Sequence, residues 1–269
     1  MEETVLLIAP LCTSGKVDAA SIRGLLDILA MNLQTCQTLS VKAPLFILEI
    51  ADQHDHDKVM QRQLLTWPVQ YNPEEIANLA SQWEMPVDQI LVPIVIEGKS
   101  ERELSLQVKV VNPTGEYQLY QGRWEGSLID ITRGLCHGSH RIIKALGKTV
   151  HRHQEKWPQT NNEKALRLFL QAINDINFFR ADLAEGDFHE VLDSLEESLR
   201  LDPGLELAIY RLLGFLEILI GNPFLPGQAY KVAMKKLQQI EGYKTLSGSM
   251  HMLVAEIYKM IGKHEQMEY

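Results

Sequence analysis

The sequence predicts an α/β sandwich on one mixed sheet, followed by a short all-α array. Three observations carry this expectation. Residues 1–150 alternate short apolar runs with stretches of helical spacing. Three strand-like segments then follow one another across tight turns. Beyond residue 162 strand-like alternation stops.

Thr4–Pro10 (TVLLIAP) reads as a buried strand closed by proline. Asp18–Leu39 places Ile22, Leu25, Leu26, Leu29 and Leu33 on one helical face, with Asp18 or Ser21 as N-cap. Leu45–Ile50 (LFILEI) is a second strand of the same sheet. Asn72-Pro-Glu-Glu sets a cap, a proline at the first helical position and acids in the first turn of a helix over Glu74–Trp83. Val87–Glu97 is a third strand, and Pro93 within it predicts an edge position or a bulge. Glu103–Val111 and Tyr117–Glu125 complete a meander across turns at Gly98–Ser100 and Asn112–Gly115. Leu128–Leu146 returns to helical spacing, and Gly147 stops it.

The 269 residues are about two average domains' worth. With 45% hydrophobic and 23% charged residues, the composition excludes disorder and a disulfide-stapled mini-protein. The net charge of −9 is spread evenly: 13 basic and 18 acidic residues lie in 1–150, and 13 and 17 in 151–269. An acidic chain without a basic block repels a phosphate backbone, so no nucleic-acid partner is expected. Cys12, Cys36 and Cys136 are odd in number and lack a CxxC, which points to reduced thiols in a cytoplasmic protein. Met-Glu-Glu ahead of a short apolar run is not a secretory signal, and no window matches a membrane span.

Polar residues 151–162 read as a linker between an α/β domain (1–150) and a helical domain (163–269) of five or six amphipathic helices. Within the second, GDFHEVLDSLEESLRLDP (186–203) resembles the turn and second helix of a tetratricopeptide repeat, a unit of about 34 residues. Gly186-Asp187 matches the turn, Phe188 the residue packing under the first helix, and Val191, Leu195 and Ser198 the interlocking positions. Leu199, Leu201, Asp202 and Pro203 match its close. Phe179 stands where the family uses glycine. Fainter echoes begin at Ala208-Ile209-Tyr210, with Gly214 one residue out of register, and at Val254–Tyr258.

The first half is similar to the amino-terminal domain of TolB and its relatives. The match runs through the strand Val5–Pro10, the Gly24-Leu25 pair, the approach Ala80–Asp88, the meander and the Thr114-Gly115-Glu116 turn. An aromatic on the last strand matches Tyr120 or Trp124; Met85-Pro86 and Pro93 depart from the pattern. The resemblance covers most of 4–147 and implies a non-catalytic interaction or sensory module, with no catalytic residues to carry over.

Four further candidates are each weighed against a plain reading. His54-Asp55-His56-Asp57 would place two imidazoles on one side of a strand, yet such runs are mostly solvated loops. His137, His140, His151 and His153 fit cationic charge near a helix end. Cys136-His137 point apart on a helix. Thr13-Ser14-Gly15-Lys16 lacks the first glycine and the hydroxyl residue of a phosphate loop. Trp67-Pro68 and Trp157-Pro158 put large rings in loops, to be covered within the protein or by a partner.

Stacked helix pairs leave a concave groove. The expected function is therefore recognition of a partner peptide or helix, with self-association as the structural alternative and no cofactor or metal. Asn174, Asn177, Arg180, Tyr210, Arg211 and Glu217 are the residues expected to touch the partner. The rival is a ligand-sensing or enzymatic α/β domain with a pocket between Cys12–Lys16 and the strand ends.

Overall fold

The computed structural model describes residues 3–14, 17–44, 46–51, 60–69, 72–82, 86–97, 104–149, 156–181, 187–222, 225, 227–241 and 247–267. The chain divides into two compact units, Met1–Trp157 and Pro158–Tyr269.

The first unit is organised by β7 (Gln89–Glu97), which has neighbours along both edges. On one edge, β1 (Thr4–Ile8) and β2 (Leu11–Ser14) run in tandem, both parallel to it. Ile8 stands opposite Leu91 and Cys12 opposite Ile94, so the first chain carries one extra residue, a bulge at Ala9-Pro10. On the other edge β8 (Leu104–Val111) is antiparallel and pairs in turn with β9 (Gln118–Gly126). Two short parallel strands, β3 (Leu39–Lys42) beside β1 and β6 (Thr66–Trp67) beside β2, complete the seven-stranded sheet.

This topology corrects the reading of Pro93, which lies inside the central strand. The Leu91 carbonyl accepts from the Ala9 amide. Odd-numbered residues of β7 therefore turn their backbone groups toward β1 and β2, and Pro93 meets them at the bulge. A residue without an N–H thus sits where the neighbouring ladder is already interrupted. Pro93 marks neither an edge nor a bulge of its own strand; the extra residue is in its neighbour, between Ile8 and Cys12.

Two other elements differ from expectation. Helix α1 (Ala19–Leu33) is shorter than Asp18–Leu39 because the Thr35 hydroxyl takes the Asn32 carbonyl at 2.7 Å, and the chain turns into β3. The segment LFILEI contributes β4 (Ile47–Ala51), which pairs with β5 (Met60–Leu64) in a separate two-stranded sheet. The polar alternation of MQRQL hides its strand partner in the sequence. Arg23 of α1, 7% exposed, ties the approach to this hairpin, donating to the carbonyls of Ala43 and Pro44 while pairing with Asp27 at 2.9 Å.

Helices cover the sheet by parity. On one face Leu7, Cys12, Ile90, Val92, Ile94 and Val111 pack with Ile76 of α2 (Pro73–Gln82). The opposite face of β8 and β9 lies against α3 (Leu128–Ala145), which also meets α1. Trp124 lies in a trough on α3. A Cβ at Gly134 would stand 2.2 Å from its ring and one at Gly138 2.5 Å from it, so two glycines one turn apart make room for the indole.

The ends of these helices were legible. Asp18 accepts from the Ser21 amide, and Asn72 and Glu75 cap α2 reciprocally. Ser127 and Asp130 form a capping box on α3. At its far end Gly147 adopts φ +70°, while the Gly147 and Lys148 amides return to Lys144 and Ile143, closing a Schellman motif.

Residues 156–162 are anchored on both sides of the unit boundary. The buried Asn32 amide brackets Lys156, donating to its carbonyl at 2.9 Å and accepting from its amide at 2.6 Å. In the second unit Asn162 caps the next helix and donates to the Leu201 carbonyl, while Thr160 bonds Asp202.

That unit consists of α4 (Glu163–Ala181), α5 (Phe188–Leu201), α6 (Glu206–Gly221), α7 (Gly227–Glu241) and α8 (Gly248–Met267). Helix α4 packs on α5, and α6 meets α4, α5, α7 and α8. Phe179 of α4 meets Phe215 of α6 edge to face, with ring centroids 5.3 Å apart. Phe179 is therefore part of the packing between these helices. Ser198 is wholly buried, its hydroxyl turned back onto the Leu195 carbonyl, and Lys236 of α7 reaches Glu196 of α5 at 2.7 Å. Among the described residues no helix is long and apolar enough to cross a membrane.

Candidate functional site

The six residues expected to meet a partner lie on two helices that touch. Asn177 and Arg180 sit near the end of α4, half-buried and exposed respectively. Tyr210, Arg211 and Glu217 lie on α6; Tyr210 and Glu217 are two turns apart on one face, and Glu217 is exposed. Asn174 differs: it is 3% exposed, its side-chain nitrogen donates to Asp175 at 3.2 Å, and its Oδ1 has no partner. Burial removes it from the surface set and leaves five residues there.

Helix α6 shows why this face is special. Leu207, Ala208, Ile209, Leu212, Leu213, Phe215, Leu216, Leu219 and Ile220 are all buried. One stripe remains accessible, through Glu206, Tyr210, Gly214 and Glu217. A side chain added at Gly214 would meet nothing within 4 Å. The glycine costs helix stability yet relieves no clash, so the stripe has open space at its middle. Spacing alone signals Tyr210 and Glu217; that Gly214 opens onto space is visible only once α6 is surrounded.

The cysteine chemistry is inert at β2. Burial, reinforced by the negative charge of Glu75, pushes the Cys12 thiol up to about 12, so it stays protonated at neutral pH. Of the histidines on α3, His137 is exposed and His140 half-buried. Among the described residues no three His, Cys, Asp or Glu side chains gather as a metal site. Gly15-Lys16, His54–Asp57, His151 and His153 lie outside the described residues. Trp67 falls in β6, packed against the core under α2.

A cavity of about 540 Å³ lies in the first unit at the opposite end of the sheet from Cys12–Ser14, where β1 and β7 begin and α3 ends. Its polar lining includes Glu3, Asp88 and Gln89, and its apolar lining Val5, Leu119 and Leu146. Asp88 is fixed by the Val5 amide, which donates to its Oδ2 at 2.8 Å. The sequence signalled none of this, because the lining comes from four separated segments.

No family model matches the sequence, and no curated protein does. Among solved structures, the crystal structure of TolB from Acinetobacter baumannii is similar over 54% of this chain, at 10% identity and a TM-score of 0.32. That overlap spans 29% of the TolB chain.

Proposed function

We propose that the protein is a non-catalytic recognition module whose helical unit holds a partner peptide or helix along the accessible stripe of α6. The observation that carries this reading is α6 itself, enclosed by four helices and open along Glu206, Tyr210, Gly214 and Glu217. An apolar helix that keeps one accessible stripe supports a tetratricopeptide-like groove as the reading. The Asp187 cap, the buried Ser198 and the pairing of α4 with α5 support the same reading. Asn177, Arg180, Tyr210, Arg211 and Glu217 supply the polar contacts, with Arg180 and Glu217 setting the charge pattern a partner must match.

Gly214→Trp tests this directly, since a Cβ there meets nothing within 4 Å and the ring would cover the accessible stripe. A partner captured by the wild-type chain from its native lysate and identified by mass spectrometry is expected to be lost by this variant. Its helix content and melting temperature should remain near wild type. Retention of the same partner by Gly214→Trp would remove the groove from the function.

A further inference from the structure

We propose that the outer edge of β9 pairs with β9 of a second copy of this chain, antiparallel, about a two-fold axis through Trp124. The contact lies wholly within the first unit and is independent of the helical groove.

The long open edge of the sheet is β9. The other terminal strands, β3 and β6, have four and two residues, whereas β9 has nine and no proline. Its register with β8 is regular from Gly126 back to Tyr120, with a shift only at Val110/Val111. Among the described residues no strand lies along its other side. The ladder fixes which groups point there. Odd residues of β7 bond toward β1 and β2, so its even residues bond to odd residues of β8. Even residues of β8 then bond to even residues of β9. The N–H and C=O groups of Gln121, Arg123 and Glu125 therefore face outward, and all three residues are exposed. Unpaired backbone groups on a strand pinned to α3 through Trp124 are a template for another strand.

Charge selects a second copy as that strand. Arg123 and Glu125 pair at 2.6 Å on one side of β9, and Arg123 Nε also donates to Ser105. About an axis through Trp124, each Arg123 stands opposite the other copy's Glu125, so the edge is complementary to its own inversion. Moving the axis by one residue sets two Arg123 or two Glu125 side chains face to face, which penalises the neighbouring registers. Gly122 opposes the other copy's Gly126, so no side chain obstructs the outer pairs. The Trp124 ring lies against Gly134 and Gly138, so the axis passes the middle of α3. The two α3 helices then run antiparallel on one face of the joined sheet. That brings the exposed Asp130 of each toward the exposed Arg141 and Lys144 of the other. Arg133 and His137, exposed between those ends, add positive charge near the axis and keep the association weak and reversible.

The experiment is sedimentation velocity on the full chain at neutral pH, from low micromolar to several hundred micromolar protein. A reversible dimer with a dissociation constant in the micromolar range is expected. Arg123→Pro removes an outward N–H while sparing the bonds to β8, and should leave a monomer with unchanged circular dichroism. Arg123→Glu and Glu125→Arg each set like charges opposite one another and should weaken the dimer at least about tenfold. Combining the two reversals in one chain should restore it to within about threefold of wild type. These charge variants decide the matter even where the proline variant fails to fold. A chain that stays monomeric throughout overturns the proposal. So does a dimer that persists in a folded Arg123→Pro, that ignores both single reversals, or that the combined reversal leaves as weak as either alone.

Discussion

Around β7 the contacts join residues distant in sequence: Leu7 with Ile90, Cys12 with Ile94, and Trp67 of β6 with Cys12. Around α6 they join helices at most two apart along the chain, α4 and α5 before it and α7 and α8 after it. The same hydrophobic burial is therefore reached over two ranges of sequence. The sheet closes long chain loops before its central strand is flanked, whereas each helix around α6 finds it within two elements along the chain.

The sharpest test pairs two leucines of equal burial. Leu91 in β7 and Leu213 in α6 are both fully enclosed. Truncating either to alanine is expected to cost about 3 kcal/mol. Leu91→Ala should raise hydrogen exchange across β1, β2, β7 and β8 together. Leu213→Ala should raise it across α4, α5, α6, α7 and α8, since α6 meets the other four helices, and leave those strands protected. Loss of strand protection in Leu213→Ala would erase the distinction.

A smaller effect probes the seat of Trp124. Gly134→Ala drives a methyl group into the indole and is expected to cost about 2 kcal/mol by overpacking, partly offset by better helix propensity. In the Trp124→Ala background the same change should stabilise α3. Urea denaturation of the four chains reads the coupling directly, and additive losses would mean that the ring does not occupy the trough.

The smallest expected effect is electrostatic. Hydrogen bonds from the Ser127 side chain and backbone hold the Asp130 carboxyl below its usual range. Its contribution is therefore complete above the ordinary carboxylate range and fades as the pH falls through the lowered value. Asp130→Asn should cost about 0.5 kcal/mol near neutrality and remove that part of the acid dependence. Thermal melts between neutral and acidic pH check it; an unaltered slope would show that the cap carries no charge-dependent stability.

Legibility followed the range of the interaction. Caps and turns are read locally, so Asp18, Asn72, Gly147 and the Thr114-Gly115-Glu116 turn, with Gly115 at φ +74°, were visible in the sequence. The antiparallel meander was visible too, since its strands are consecutive. What escaped depends on partners far along the chain. Leu39–Lys42 is a strand because β1 lies beside it, LFILEI leaves the main sheet because β5 takes it, and Pro93 is central because the bulge is in its neighbour. In the candidate groove, helical spacing located Tyr210 and Glu217, but the enclosure of Asn174 is set by packing that no local pattern encodes.

The tandem arrangement of β1 and β2 also sets a timetable for synthesis. β1 is made well before its long neighbour, since Leu7 has no Ile90 to pair with until translation reaches it. For that interval one edge of an apolar strand stands uncovered, exposed to whatever else is nearby. Slowing translation just before Gln89 should therefore lower the yield of native protein more than slowing it just after Glu97.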